Sequence, residues 1–77
     1  MGHASMQEAA RITEALLAMP VGTEATMNGR RVRRDDADGL ETWVVDGRRH
    51  GYFLAVEAVT GRTTEELAAW LRQRLEQ

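Results

Sequence analysis

Residues 40–56 read LETWVVDGRRHGYFLAV, and their reading decides the fold. The stretch holds Trp43, Tyr52 and Phe53, which leaves Trp70 as the only aromatic residue outside it. Asp46-Gly47 divides it. Asp-Gly between apolar runs is a two-residue hairpin signal, because both turn positions of the favoured type require positive φ. A turn at Asp46-Gly47 sets Val45 opposite Arg48, Trp43 opposite His50 and Glu41 opposite Tyr52. Side chains alternate along a strand, so these residues share one face with Leu54 and Val56. The opposite face carries Leu40, Thr42, Val44, Arg49, Phe53 and Ala55. Both faces are substantially apolar, whereas a strand with one wet face alternates more cleanly.

Working outward, residues 23–27 and 30–34 flank Asn28-Gly29, a second hairpin signal of the same kind. Here Ala25 meets Val32 on one face, while Glu24 meets Arg33 and Thr26 meets Arg31 on a polar face. Between the hairpins lies an acidic loop, Asp35-Asp36-Ala37-Asp38-Gly39. On the N-terminal side, Met6, Ala9, Ile12, Leu16 and Met19 recur at helical spacing, and Pro20 ends the helix. On the C-terminal side, Thr63 and Glu66 form a capping box that opens a helix with the stripe Leu67, Trp70, Leu71 and Leu75. The expected fold class is α+β: one small α-β-β-β-β-α domain over residues 6–77. Its antiparallel sheet of three or four strands, built from two hairpins, carries both helices on one face. Ile12, Leu16, Leu67, Trp70 and Leu71 are expected to meet the sheet in the core. Residues 1–5, MGHAS, are read as a vector-derived leader.

Composition narrows the chemistry. Seventy-seven residues allow one domain with a small core. With no cysteine, neither disulfides nor thiolate ligands are available. No apolar run is long enough to span a membrane and no secretory signal is visible, so a cytoplasmic protein without a membrane partner is expected. Net charge is −2, and every basic side chain is arginine.

The candidate chemistry is sparse. The loop carboxylates Asp35, Asp36 and Asp38 precede a glycine, as in a calcium loop. The twelve-residue ligand pattern and flanking helices of that motif are missing, and no metal site is expected. His50 is the only histidine outside the leader, and general acid–base work would need a positioned partner such as Glu41 or Glu57. No activated nucleophile and no glycine-rich phosphate loop accompany it. The expectation is no enzyme and no cofactor.

Two surfaces remain. The first is the sheet face bearing Trp43, Val45, Tyr52 and Leu54. It becomes a protein-binding or two-fold self-association surface if the helices cover the face of Leu40, Val44 and Phe53. If instead the helices need the tryptophan face, that face is core and the chain can stay monomeric. The second surface consists of Arg30, Arg31, Arg33, Arg34, Arg48 and Arg49, which suit a nucleic-acid backbone. Glu24, Asp35, Asp36, Asp38, Glu41 and Asp46 offset them, which favours a mixed-charge solvated face.

Three resemblances follow from particular stretches. The order helix–sheet–helix is similar to the double-stranded RNA-binding domain. That family opens its second helix with phosphate-gripping lysines, where this chain has Thr63-Thr64-Glu65-Glu66. Residues 30–75 resemble the arm-type DNA-binding domain of phage integrases: a basic strand, a tryptophan strand, a second basic strand and a helix containing AAWL. The acidic loop and N-terminal helix depart from that pattern. Residues 10–23, ARITEALLAMPVGT, resemble the opening of small uncharacterised proteins of actinobacteria and their phages, which agrees with a composition rich in alanine, glycine and arginine. The resulting expectation is a small non-enzymatic binding protein that acts through a protein partner, as a phage or mobile-element accessory factor. Nucleic-acid binding through the arginine strands is the alternative.

Overall fold

In the computed structural model, which describes residues 3–76, a four-stranded antiparallel sheet carries three helices. The order is α1 (Met6–Ala18), β1 (Glu24–Met27), β2 (Arg30–Arg34), β3 (Trp43–Val45), β4 (Arg48–His50), α2 (Tyr52–Thr60) and α3 (Thr64–Leu75). A single 3-10 turn, Ala37–Gly39, interrupts the loop between β2 and β3. The α+β class holds, and the sheet runs β1-β2-β3-β4.

Both turn signals act as their chemistry requires. Asn28 and Gly29 have φ of 51° and 76°, and Asp46 and Gly47 have 49° and 85°. The left-handed region is open to glycine and tolerated by Asn and Asp, whose short side chains bond locally. Asp46 instead bonds across the sheet, accepting the Arg31 backbone N–H at 3.1 Å and Arg30 Nη1 at 2.8 Å. Asn28 reaches the helical layer and donates to the Val59 carbonyl at 2.8 Å. The registers follow from these turns: Ala25 opposite Val32, Val45 opposite Arg48 and Trp43 opposite His50.

The central stretch departs from expectation after His50. The expected Glu41–Tyr52 pair does not form, because Tyr52 opens helix α2. Tyr52, Leu54 and Val56 are therefore helical residues, and the element order contains one more helix than the sequence suggests. The cause lies in the burial pattern. Ala55, Val56, Val59 and Thr60 are buried, a stripe of helical period, while Phe53 and Leu54 point outward. Gly51 stands at the N-cap, and Gly61 ends the helix at φ 71°.

Helices cover only one face of the sheet. On that face Val32, Trp43 and Val45 are buried against Ile12 and Leu16 of α1 and Ala55, Val56 and Val59 of α2. Trp43 is fully buried, and its indole N–H donates to the Leu16 carbonyl at 2.9 Å. The proposed outer surface of Trp43 and Val45 is thus corrected: both are core. The opposite face carries Glu24, Thr26, Arg31, Arg33, Val44 and Arg49 and lies open. It is polar, since Leu40 lies outside the strands and Phe53 belongs to α2.

Helix α3 packs on α1 and α2. It buries Leu67 alone, whereas Leu71 is 46% exposed and Trp70 is half-buried under Arg74, 4.8 Å from its ring centroid. Neither joins the core as expected. Of residues 1–5, Met1 and Gly2 lie outside the described residues. Ala4 is buried, its N–H donating to the Thr60 carbonyl at 2.8 Å, and Ser5 caps α1 at the Glu8 N–H.

Three carboxyls sit below their usual range. Asp36 is held down by hydrogen bonds from Arg34, Asp46 by those from Arg30, and Glu66 by the Thr63 N–H. A carboxyl more acidic when folded stabilises the fold fully above its unfolded pKa, and that stabilisation is lost as pH falls through the folded value. Thermal stability is expected to be flat above about pH 5 and to decline below about pH 4, the ordinary carboxylate range. Melts followed by circular dichroism across that window check this, and the decline should flatten in Asp36→Asn.

Candidate functional site

The helical layer leaves a groove open on its surface. Helix α1 contributes Ala10, Thr13 and Glu14 along one wall, and α3 contributes Thr64, Ala68 and Leu71 along the other. Tyr52, Phe53 and Val56 from the start of α2 and Leu67 of α3 complete the lining. The groove encloses about 250 Å³. Thr13 turns its hydroxyl back to the Ala9 carbonyl at 2.8 Å, and among the described lining residues Glu14 alone is charged.

An aromatic chain links this groove to the core. Trp43 and Tyr52 have centroids 5.8 Å apart, and Tyr52 and Phe53 5.5 Å, both pairs tilted. The chain runs from a fully buried indole to a Phe53 ring that is 66% exposed. Burial raises the Tyr52 phenol above its ordinary pKa. Leu71 in the lining is exposed, as are Leu17, Leu54 and Leu75 on the same three helices. Large apolar side chains clustered beside a concave apolar site mark an interaction surface.

The arginines do not form a single surface. Arg31, Arg33 and Arg49 lie on the open sheet face, while Arg30, Arg34 and Arg48 belong to the register of the helix-covered face. Asp35 accepts from Arg33 at 3.1 Å and from Arg49 at 2.8 Å. Arg31 lies 3.7 Å from Glu24, and Arg30 pairs with Asp46. A shallow depression of about 340 Å³ on this face, lined by Glu24, Arg31, Arg33, Val44, Asp46 and Gly47, is balanced in charge.

Arg34 is removed from any nucleic-acid surface, being only 7% exposed. Its guanidinium stacks 4.5 Å from the Trp43 ring and donates to Asp36, to Glu41 and to the Met19 carbonyl. The acidic loop is correspondingly structural. Thr42 N–H donates to Asp36 Oδ1, and the Asp35 and Asp36 N–H groups donate to the Thr42 carbonyl.

Of the two carboxylates considered as partners for His50, Glu41 accepts from Arg34 and Glu57 from the Thr64 N–H at 3.3 Å. Among the described residues no group of three or more His, Asp or Glu side chains could hold a metal ion. No helix among them is long and apolar enough to cross a membrane.

Of the residues singled out from sequence, Tyr52 lines the groove, Leu54 is exposed on α2, and Trp43 and Val45 lie beneath the helices. Sequence reading missed Phe53, Ala68 and Leu71 as a site. The available signal was a second stripe on α3, Thr64, Ala68, Leu71 and Leu75, beside the one facing the core. No family model matches the chain, and neither the curated proteins nor the solved structures contain a match to it.

Proposed function

We propose that this chain is a small non-enzymatic binding protein whose α1–α3 groove receives an apolar helical ridge from a protein partner. The observation that carries this reading is a groove with one charged lining residue, beside which Phe53 and Leu71 are 66% and 46% exposed. Helix-in-groove recognition places apolar anchors at helical spacing into such a channel. The test compares three baits in affinity capture from a host extract: the wild type, Leu71→Arg, and Arg31→Glu/Arg33→Glu. A specific protein held by the wild type and the arginine variant, but lost with Leu71→Arg, is the expected result. Loss with the arginine variant alone, or a salt-sensitive nucleic acid in place of protein, overturns the groove reading.

A further inference from the structure

We infer that the ridge entering the groove is α3 of a second copy, so that two chains pair about a two-fold axis with their α3 helices antiparallel. This rests on the groove as a helix-binding surface and names its occupant.

The spacing of α3 supports it. Thr64, Ala68, Leu71 and Leu75 follow the 4-3-4 rhythm of a coiled-coil seam. Ala68, Leu71 and Leu75 are exposed, Leu75 at 86%, although they are the apolar members of that seam. The seam runs along one wall of the groove, so a second α3 laid beside it sets its own leucines over Ala68, Leu71 and Phe53. Alanine at position 68 leaves room for the approach.

Charge selects the orientation. The positions directly after Thr64 and Leu71 are Glu65 and Arg72, both exposed and without an ion pair among the described residues. In a parallel pair the two Glu65 and the two Arg72 lie on opposite sides of the seam, and no Glu65 meets an Arg72. Antiparallel pairing in the register that faces Ala68 with the second copy's Leu71 sets each Glu65 beside an Arg72 instead. The same operation makes both contacts at once, as an isologous interface requires. Helix dipoles also oppose favourably in that arrangement.

Sedimentation equilibrium on the purified full chain tests this, with circular dichroism to confirm folding. The wild type is expected to be dimeric at micromolar to millimolar concentration, and Leu71→Arg folded and monomeric. Glu65→Arg and Arg72→Glu each place like charges together twice, and each should weaken the dimer by about 10- to 30-fold. Mixing the two single variants restores both pairs and should give a heterodimer of near wild-type affinity. A heterodimer also excludes helix damage as the cause of the single-variant losses. A wild type monomeric at millimolar concentration overturns the self-pairing, while the capture experiment with Leu71→Arg still decides the groove reading separately. A dimer indifferent to Leu71→Arg, or single variants that fail to recombine, overturns it as well.

Discussion

Replacing Trp43 by Ala is expected to destabilise the domain by about 3–5 kcal/mol. A chain of 77 residues has roughly 4–12 kcal/mol of total stability. The variant should therefore be largely unfolded at physiological temperature, or melt about 12–40 °C lower by the usual size scaling. Three losses combine. The indole is the largest fully buried side chain, so its removal leaves a cavity that Val32, Leu16 and Val56 cannot fill without moving. The Leu16 carbonyl loses its indole donor at the end of α1. Tyr52 and Arg34 lose the ring against which both pack. Trp43→Phe separates these effects, because it keeps an aromatic ring and removes the donor. Its expected cost is about 1–2 kcal/mol, the loss of one buried hydrogen bond, since the Leu16 carbonyl keeps the Met19 N–H at 3.3 Å. Trp43→Arg should unfold the domain by burying an unpaired charge. A folded Trp43→Arg variant would place the indole on an outer surface and contradict the two-layer packing.

Much of this architecture was legible because β-hairpins are local. Asn28-Gly29 and Asp46-Gly47 each fix a register, and period-two alternation then assigns every neighbouring side chain to a face. Residues 52–60 were not legible by the same rule. Tyr-Phe-Leu-Ala-Val is apolar at successive positions, and a short apolar run satisfies a strand and a helix equally. Glycines at 51 and 61, with Ala55 and Ala58 between them, were the local evidence for a helix of nine residues. They outweigh an alternation that the run does not actually show.

The functional surface was harder to read, for a tertiary reason. Which stripe of α3 faces inward depends on where α1 and α2 lie, and no spacing within α3 states that. Leu67 belongs to the buried stripe and Leu71 to the exposed one, although four residues separate them on the same helix. Assigning Leu71 and Trp70 to the core treated the apolar content of α3 as one face when it covers two. The consequence for function is direct, since the surplus apolar face forms a wall of the groove.

Arg34 carries the second large effect. Alternation along Arg-Arg-Val-Arg-Arg already puts Arg34 on the face of Val32, the core side. Burial of a charge is rare without partners, which is why the sequence reads it as surface. Its partners come from two directions. Asp36 and Glu41 supply carboxylates from the loop, and the end of α1 supplies the carbonyls of Leu17 and Met19 at 3.4 and 3.1 Å. Those carbonyls belong to the last turn, where no intrahelical donor remains. The guanidinium therefore ties the end of α1 to β2 and the acidic loop, while the indole beneath it binds Leu16. Arg34→Met, which keeps volume and removes the donors, is expected to cost about 2–4 kcal/mol, because at least one buried carbonyl and a charge-assisted network lose their donor together. Arg34→Lys should recover only part of that loss, since an ammonium cannot present the planar fork that reaches Asp36, Glu41 and Met19 at once. Denaturant melts of both variants, alone and combined with Trp43→Phe, measure the coupling directly. The combined loss is expected to fall short of the sum by about 0.5–2 kcal/mol, because the two side chains stabilise the same helix end and stack on one another. A change below about 0.5 kcal/mol for Arg34→Met, the size of an ordinary surface substitution, would return Arg34 to the solvent and free it for the sheet's other arginines.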